Sequence, residues 1–343
     1  MKKTLMKYVL CVSVSMLMLA GCKKKDSVPG LQSGVWKYAT PYGTSYMIFK
    51  GGGNVTKYTA LLYNMHIKQN GHYTESGGQV EWSSAPGSPV DLRNYRISND
   101  TLYLDGSGST DVYVRTSETI DTANWVKRFT ALEQYPLGQR RFGAIDFNGT
   151  DIFMSGYVNG VAYRISAATH TLIDSIIPSF SGKGLACVGS DLWLTNNSGK
   201  VFNKMNYSAN SIISTSALSP STPGPSCAYG SKILFMDAAN NLRTYDPATS
   251  TYQTLFIFES PYLAGGFVID LHAKGNLVYM ATLFGFYVFD LNTHQFTESY
   301  DANIVLGVTE VNNEFYLLNV PVNGLGTTDV NTVMPYLIHV QLN

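Results

Sequence analysis

The stretch Val288-Phe-Asp290-Leu-Asn-Thr293 repeats a pattern that also stands at Thr244-Tyr-Asp246-Pro-Ala-Thr249, a strand that runs into a polar turn. Two looser copies occur earlier in the chain, and the equivalent turn positions are spaced 40, 40 and 44 residues apart, at Ser166, Asn206, Asp246 and Asp290. Short polar side chains suit such turns because they accept hydrogen bonds from backbone N–H groups two or three residues further on. The C-terminal part of the chain is therefore built from repeated units.

Each unit also contains a glycine or asparagine turn that leads into a short apolar strand. This element occurs five times, at 149–154, 189–194, 230–235, 275–280 and 312–317. About four strands in a unit of about 40 residues is typical of a β-propeller blade, so five copies predict about five blades within 119–343. The fifth copy lacks its polar turn, and we expect a strand from 124–132 to complete that blade. An alternative interpretation takes 100–127 as a sixth blade.

The repeated Phe-Asp-x-x-Thr turn resembles the hairpin of quinoprotein-like and YVTN-like β-propellers, and the resemblance extends over residues 142–343. It implies a fold rather than an activity, since those propellers include enzymes, receptors and scaffolds. The composition points the same way, because only 14% of the residues are charged while 13% are aromatic. Such a composition favours strands and tight turns over exposed helices, and we expect an all-β protein.

Residues 31–118 contain a separate series of predicted strands. Apolar and polar residues alternate between breaks rich in Gly and Asn, which predicts an antiparallel sheet with one buried face. Four groups of residues resemble the motifs of lipocalin-like domains in Bacteroidetes lipoproteins: Gly34/Trp36/Lys37, Ile48/Phe49/Gly52/Gly53, Ser98/Asp100/Thr101/Leu102/Leu104 and Tyr113/Arg115. The resemblance implies a small antiparallel lipocalin-like barrel or sheet over 31–118.

The N-terminus has the features of a secretion signal. Lysines precede an apolar run from Tyr8 to Ala20, which is too short to span a bilayer stably. The following Leu19-Ala20-Gly21-Cys22 resembles the bacterial lipobox, in which the cysteine receives lipid and the preceding peptide is removed. We therefore predict a lipoprotein signal peptide at 1–21, lipidation at Cys22 and a tether at 22–30. Acyl chains of this kind give stable anchoring, so the expected location is the cell envelope, at the outer membrane. The sequence does not decide between the periplasmic face and the cell-surface face of that membrane.

Charge excludes one class of partner. Removing residues 1–26 takes away six lysines and one aspartate, and leaves 18 basic against 23 acidic side chains in the folded part. A mildly acidic body does not favour nucleic-acid binding. The predicted partners are the membrane, through the N-terminal lipid, and a glycan or an envelope protein.

The first strand of each blade lines the axis of a propeller, and these strands offer the candidate catalytic residues Asp146, Asp270 and Glu310. Three carboxyl groups on different blades suit a glycoside hydrolase, in which one acts as acid and another as base or nucleophile. With His272 nearby, the same set suits a divalent cation. The alternative is structural: carboxylates bonded to backbone amides at the channel or in turns. No metal-binding spacing, phosphate loop or cofactor motif occurs, and we predict no metal and no cofactor.

Other residues are candidates for binding rather than chemistry. His272, Tyr157 and Tyr262 are candidate ligand contacts, the tyrosines through stacking on sugars. After loss of the signal and lipidation of Cys22, Cys187 and Cys227 remain, either paired or as buried thiols. The apolar run Tyr58–Ile67 favours packing between the two domains over the clasping of a small apolar ligand.

These observations lead to one main hypothesis and one alternative. The main hypothesis is a lipid-anchored envelope protein with a non-catalytic, ligand- or protein-binding propeller. The alternative is a carbohydrate-active hydrolase or lyase that uses carboxylates in the propeller funnel. The sequence leaves the question of enzymatic activity open.

Overall fold

The computed structural model describes residues 30–83, 91–106, 108–120, 125–137, 142–156, 160–180, 182, 184–259, 268–282, 285–300, 305–319 and 336–343. Within these ranges the chain is built from strands, with three short 3-10 turns at Leu31–Ser33, Gly51–Gly53 and Leu62–Asn64. The predicted all-β class is confirmed. The predicted signal peptide, Cys22 and all but the last residue of the tether lie outside the described residues.

Eight antiparallel strands close into a barrel in chain order. They are β1 (Val35–Thr40), β2 (Gly43–Lys50), β3 (Asn54–Leu61), β4 (His66–Ser76), β5 (Gln79–Ser83), β6 (Asp91–Ser98), β7 (Thr101–Gly106) and β8 (Ser109–Thr116). The barrel closes because β1 pairs with β8, with Trp36 opposite Arg115. Side chains of successive residues point to opposite faces of a strand, so alternate residues fill the barrel.

One end of the barrel interior is apolar and closed. Trp36 is fully buried there, and it packs with Leu31, Phe49, Tyr73 and Leu102. Its indole Nε1 donates to the carbonyl oxygen of Leu31 at 2.9 Å, which fixes the 3-10 turn Leu31–Ser33 across that end. A buried indole N–H needs such a partner, so the tryptophan both fills the barrel and holds its cover in place.

Five four-stranded antiparallel sheets form the propeller. Blade 1 contains β10 (Phe142–Phe147), β11 (Asp151–Gly156), β12 (Ala162–Ser166) and β13 (Leu172–Ile176), and blade 2 contains β14 (Leu185–Val188), β15 (Asp191–Asn196), β16 (Val201–Asn206) and β17 (Ser211–Thr215). Blade 3 contains β18 (Pro223–Tyr229), β19 (Lys232–Asp237), β20 (Asn241–Asp246) and β21 (Thr251–Ile257), and blade 4 contains β22 (Val268–Lys274), β23 (Leu277–Thr282), β24 (Gly285–Asp290) and β25 (Gln295–Tyr300). Blade 5 contains β26 (Val305–Val311), β27 (Glu314–Asn319) and β28 (Tyr336–Leu342), and its outer strand is β9 (Phe129–Pro136). The propeller with about five blades is confirmed.

The fifth blade is completed by a strand from the start of the propeller. β9 pairs antiparallel with β28, with Leu342 opposite Phe129 and Leu337 opposite Tyr135. The strand expected at 124–132 therefore lies a few residues further along, and residues 121–124 are outside the described part. The sixth blade considered for 100–127 is wrong, because β7 and β8 within that range belong to the barrel.

Side-chain hydrogen bonds to backbone N–H groups hold the polar turns of the repeat, as their short polar residues predict. Asp246 Oδ1 accepts from the backbone N–H of Ala248 at 2.9 Å, and Asp290 Oδ1 accepts from Asn292 at 2.7 Å. Asn206 makes the equivalent bond with the N–H of Ala209 at 3.1 Å. These local bonds compete with continuation of the strand, and each therefore starts a hairpin to the outer strand of its blade.

The apolar run Tyr58–Ile67 joins the barrel to the propeller. Leu61, Met65 and Ile67 are buried in one cluster with residues of blades 3 and 4, among them Phe289 and Phe296. Polar bonds accompany this packing, since Asn64 Nδ2 donates to the carbonyl oxygen of Phe296 at 3.2 Å. This segment is the tip of the β3–β4 hairpin, and we call it the docking tip, residues 61–67.

We expect substitutions of Trp36 to test the plugged end of the barrel. Trp36→Ala should lower the free energy of unfolding of the barrel by about 3–5 kcal/mol, because it removes a fully buried aromatic side chain. Trp36→Phe should cost less, about 1–3 kcal/mol, because it mainly leaves the Leu31 carbonyl without its donor. Urea unfolding followed by circular dichroism measures both values. Val114→Ala on the outer barrel surface is the control, and an equal cost for all three variants would contradict this packing.

Candidate functional site

The innermost strands of the five blades meet around the propeller axis, and two aspartates link them. Asp146 lies on β10 of blade 1, and its Oδ2 accepts hydrogen bonds from the backbone N–H of Cys187 at 2.8 Å and of Ala228 at 3.2 Å. Its Oδ1 accepts from the N–H of Phe147 at 2.9 Å. The Asp146 carboxyl group therefore bridges the inner strands of blades 1, 2 and 3.

Asp270 makes the same kind of bridge on the other side of the ring. It lies on β22 of blade 4, and its Oδ2 accepts from the backbone N–H groups of Val308 and Ile145, both at 3.0 Å. Those residues belong to blades 5 and 1. Each aspartate thus bonds to the next two blades around the ring, and together they connect all five inner strands. We refer to Asp146 and Asp270 as the channel aspartates.

The channel aspartates are shielded from solvent. Asp146 is 4% exposed and Asp270 is 0% exposed. Burial raises the pKa of Asp146, while its bonds to backbone N–H groups lower it. Burial also raises the pKa of Asp270 well above its ordinary value, and the nearby charge of Asp146 raises it further. A buried carboxyl is less easily ionised because the low-dielectric interior disfavours the charged form.

Glu310, the third candidate carboxylate, has a different environment. Its Oε1 lies 2.5 Å from Lys274 Nζ and its Oε2 lies 3.6 Å from His272 Nε2. His272 and Lys274 lower the pKa of Glu310 to about 2, so the group is ionised at neutral pH. All three residues lie on the neighbouring inner strands β22 and β26, towards the ends of those strands. Glu310 is therefore part of an ion-pair cluster and not bonded to the channel aspartates.

The remaining sequence candidates are distributed as follows. Cys187 and Cys227 are both buried and both free, so they do not form a disulfide. Burial raises the pKa of each thiol well above its ordinary value, which makes it unreactive as a nucleophile. Tyr157 and Tyr262 lie outside the described residues. The structure thus brings Asp146 near Cys187 and Cys227, and His272 near Glu310.

The described side chains give no further chemical centre in the propeller. Within the described ranges, no group of three or more His, Cys, Asp or Glu residues is placed to hold a metal ion. No helix among those same residues is long and apolar enough to cross a membrane. The described channel residues therefore form a network that ties the blades together, and the assignment of a catalytic role to Asp146, Asp270 and Glu310 stays a prediction.

A charged cavity inside the barrel was not among the sequence candidates. It has a volume of about 160 Å³, and its polar lining includes Lys57, Gln69, Asp91, Arg93 and Asp111. The signal for it becomes visible only when the sheet is closed into a barrel. Strand alternation places Lys57 on the same face as Val55 and Thr59, both buried, so a lysine is directed into the barrel.

No protein-family model and no curated protein matches the chain. Solved structures show distant likeness. Glutaminyl cyclase of Myxococcus xanthus is 14% identical, with a TM-score of 0.49 over 64% of this chain and 98% of that chain. A streptogramin B lyase is 11% identical, with a TM-score of 0.32 over 91% of this chain and 95% of that chain. The WD40 repeats of RRP9 are 9% identical, with a TM-score of 0.40 over 62% of this chain and 100% of that chain.

These likenesses are too distant to carry an argument about function. The fold itself rests on the sheet order, which gives a closed eight-stranded barrel and five four-stranded blades. A β-propeller supports a binding or scaffold role, since its blades present loops and outer strands on a rigid ring.

We expect Asp270→Asn and Asp270→Ala to behave differently. The Ala variant leaves the buried N–H groups of Ile145 and Val308 without an acceptor, and should lower the free energy of unfolding by about 2–4 kcal/mol. The Asn variant keeps one oxygen for both bonds and avoids a buried charge, so its cost should stay within about 1 kcal/mol. Denaturant unfolding at pH 7 measures both. Asp100→Asn, on the exposed barrel surface, is the control.

The same variants test how the stability of the protein depends on pH. Because the folded pKa of Asp270 is raised above its ordinary value of 3.8, the folded state holds this proton more tightly than the unfolded state. The stability of the native protein should therefore fall as the pH rises through the interval from 3.8 to the folded pKa, and Asp270→Asn should lack that decline. Equal losses for Asn and Ala, or an unchanged pH slope in the Asn variant, would contradict the bridging role.

Proposed function

We propose that this chain is a lipid-anchored protein of the cell envelope, at the outer membrane, whose propeller binds a protein partner and catalyses no reaction. The anchor is inferred from the lipobox-like Leu19-Ala20-Gly21-Cys22 and the short tether that follows it. The outer edges of two neighbouring blades have features that favour an envelope protein over a glycan as the partner.

The observation that carries this proposal is a concentration of exposed aliphatic side chains on those edges. β13 and β17 are the outermost strands of blades 1 and 2. Exposed aliphatic residues on or beside them are Leu172, Ile173, Ile177, Ile212, Ile213 and Leu218. The two edges are linked, since Asn210 Nδ2 donates to the carbonyl oxygen of Ile177 at 3.1 Å. We call this surface the aliphatic rim.

The aliphatic rim has the features of a surface that accepts a strand from another protein. Ile212 and Ile213 are consecutive, so they point to opposite faces of β17, and both are exposed, as are Leu172 and Ile173 on β13. No described strand pairs with the outer edge of β13 or β17. An added strand would satisfy the free backbone groups and cover apolar side chains on both faces. Exposed apolar side chains grouped along strand edges are typical of interaction sites.

The enzymatic alternative is less well supported by the site. A glycoside hydrolase needs carboxyl groups that a sugar can reach, one to donate a proton and one to act as base or nucleophile. Asp146 and Asp270 are buried, and both oxygens of Asp146 and Oδ2 of Asp270 accept from backbone N–H groups. Glu310 is held by His272 and Lys274. We therefore favour binding over hydrolase or lyase activity.

A photocrosslinking amino acid at position 173 or 213 should form crosslinks with an envelope protein in intact cells. The same amino acid at Val114, an exposed aliphatic site on the barrel, is the matched control and should not. The double variant Ile173→Asp/Ile213→Asp should lower recovery of that partner at least about tenfold, because two charges would have to be desolvated on binding. Crosslinks only to a second copy of this chain, or equal crosslinking from position 114, would contradict the proposal.

The anchor has its own test. Cells given an alkyne-labelled fatty acid should incorporate it into the native protein, and Cys22→Ser should abolish that label and release the protein from the membrane fraction. Ala20→Gly, which keeps a small residue before the cysteine, is the control and should remain labelled. If the native protein were bound to the membrane but unlabelled, the predicted lipidation of Cys22 would be wrong.

A further inference from the structure

The interior of the barrel contains a cavity with one apolar side and one lysine that makes no hydrogen bond or ion pair with the described residues. Its volume is about 160 Å³. The apolar lining comes from Met47 and Phe49 on β2, Val80 on β5 and Leu104 on β7. A cavity of about 150 Å³ lined by apolar side chains holds a molecule of the size of benzene. The space therefore fits a compact organic group of about six carbons.

Two of the charged residues in the cavity wall are already engaged with a third. Arg93 Nε lies 2.8 Å from Asp91 Oδ2, and Arg93 NH1 lies 2.7 Å from Asp111 Oδ2. Arg93 is thus neutralised by two carboxylates, and its guanidinium group is fixed in position. These three residues form part of the frame of the cavity and do not need a ligand for their charges.

Lys57 is different from its charged neighbours. Among the described residues, it has no hydrogen bond and no ion pair, although Asp111 is close enough to act on it electrostatically. Burial lowers the pKa of Lys57, and the positive charge of Arg93 lowers it further, while Asp111 opposes this change. Gln69 is its direct cross-strand partner on β4, so an amide lies beside the ammonium group in the cavity wall.

An ammonium group that makes no hydrogen bond or ion pair with the described residues, in a partly apolar space, favours an acceptor with negative charge. A carboxylate can accept from Lys57 and from the Gln69 amide while its apolar part fills the space between Met47, Phe49, Val80 and Leu104. A cationic ligand would meet the positive charge of Lys57, and a long acyl chain would exceed the volume. We propose that the barrel binds a small monocarboxylate with a compact ring or branched chain, held by Lys57.

This site is independent of the propeller function proposed above. It lies in the barrel, and neither the aliphatic rim nor the channel aspartates contribute to it. If the partner crosslinks fail, the proposal for the barrel site still stands. If benzoate does not bind, the proposal for the aliphatic rim still stands.

Benzoate is the probe, and titration calorimetry or ligand-observed NMR on the purified protein without residues 1–21 is the measurement. Benzoate should bind, benzyl alcohol at least about tenfold more weakly, and benzylamine not detectably. Lys57→Met should lose at least about tenfold in benzoate affinity while its affinity for benzyl alcohol stays within about twofold. Lys50→Met, an exposed lysine at the end of β2, is the matched control and should bind benzoate as the native protein does.

The pH dependence distinguishes a direct contact from a structural role of Lys57. A bound carboxylate favours the charged lysine, so above the lowered pKa of free Lys57 the protein should take up a proton on binding, and benzoate affinity should fall as the pH rises. Lys57→Arg should keep benzoate binding and lose this dependence up to pH 10, because an arginine stays charged. Circular dichroism and thermal unfolding confirm that each variant is folded.

Four results would overturn the proposal. The first is that benzoate does not bind at about 5 mM, a concentration at which binding of a ligand of this size should be detectable. The second is that benzoate and benzyl alcohol bind with equal affinity. The third is that folded Lys57→Met binds benzoate with unchanged affinity. The fourth is that Lys57→Arg binds benzoate with the same pH dependence as the native protein, because a group other than Lys57 would then take up the proton on binding.

Discussion

The inner strand of every propeller blade has one edge with no neighbouring strand, and the N–H groups on that edge point towards the axis. Buried N–H groups without acceptors cost about 1–3 kcal/mol each. In this protein the channel aspartates supply those acceptors, and four of the N–H groups they bind lie on blades other than their own. The closure of the ring therefore depends on two carboxyl groups as well as on the strand that completes the fifth blade.

This arrangement explains why acidic residues on the inner strands are poor evidence for catalysis. A carboxyl that accepts two backbone N–H bonds is fixed by the fold, and its burial keeps it away from a substrate in solution. Burial adds a second restriction, because it raises the pKa of Asp146 and Asp270 and disfavours the charge that a nucleophile needs. The two binding surfaces proposed for this protein lie elsewhere, at the aliphatic rim and around Lys57.

The sequence predicted what depends on local or periodic patterns. The spacing of Asp246 and Asp290 predicted the blades, because each side chain acts on its own turn, and the alternation around Trp36 predicted a sheet with one buried face. It could not predict that Asp146 binds the N–H groups of Cys187 and Ala228, since that contact depends on the geometry of three blades. The cavity was missed for a related reason. A lysine within an alternating strand is normally read as exposed, and only closure of the sheet into a barrel turns Lys57 inward.

The β3–β4 hairpin takes part in both domains. Its tip, residues 61–67, is buried against blades 3 and 4, while Lys57 and Gln69 face each other further along the same two strands. Between these points the hairpin is a continuous ladder, in which Thr59 pairs with Ile67 and Tyr58 with Lys68. A paired, packed ladder resists bending much more than a flexible linker, so the cavity and the propeller have a fixed relation. A group bound at Lys57 would be held four residues from the docking tip, on the same hairpin that packs against the propeller.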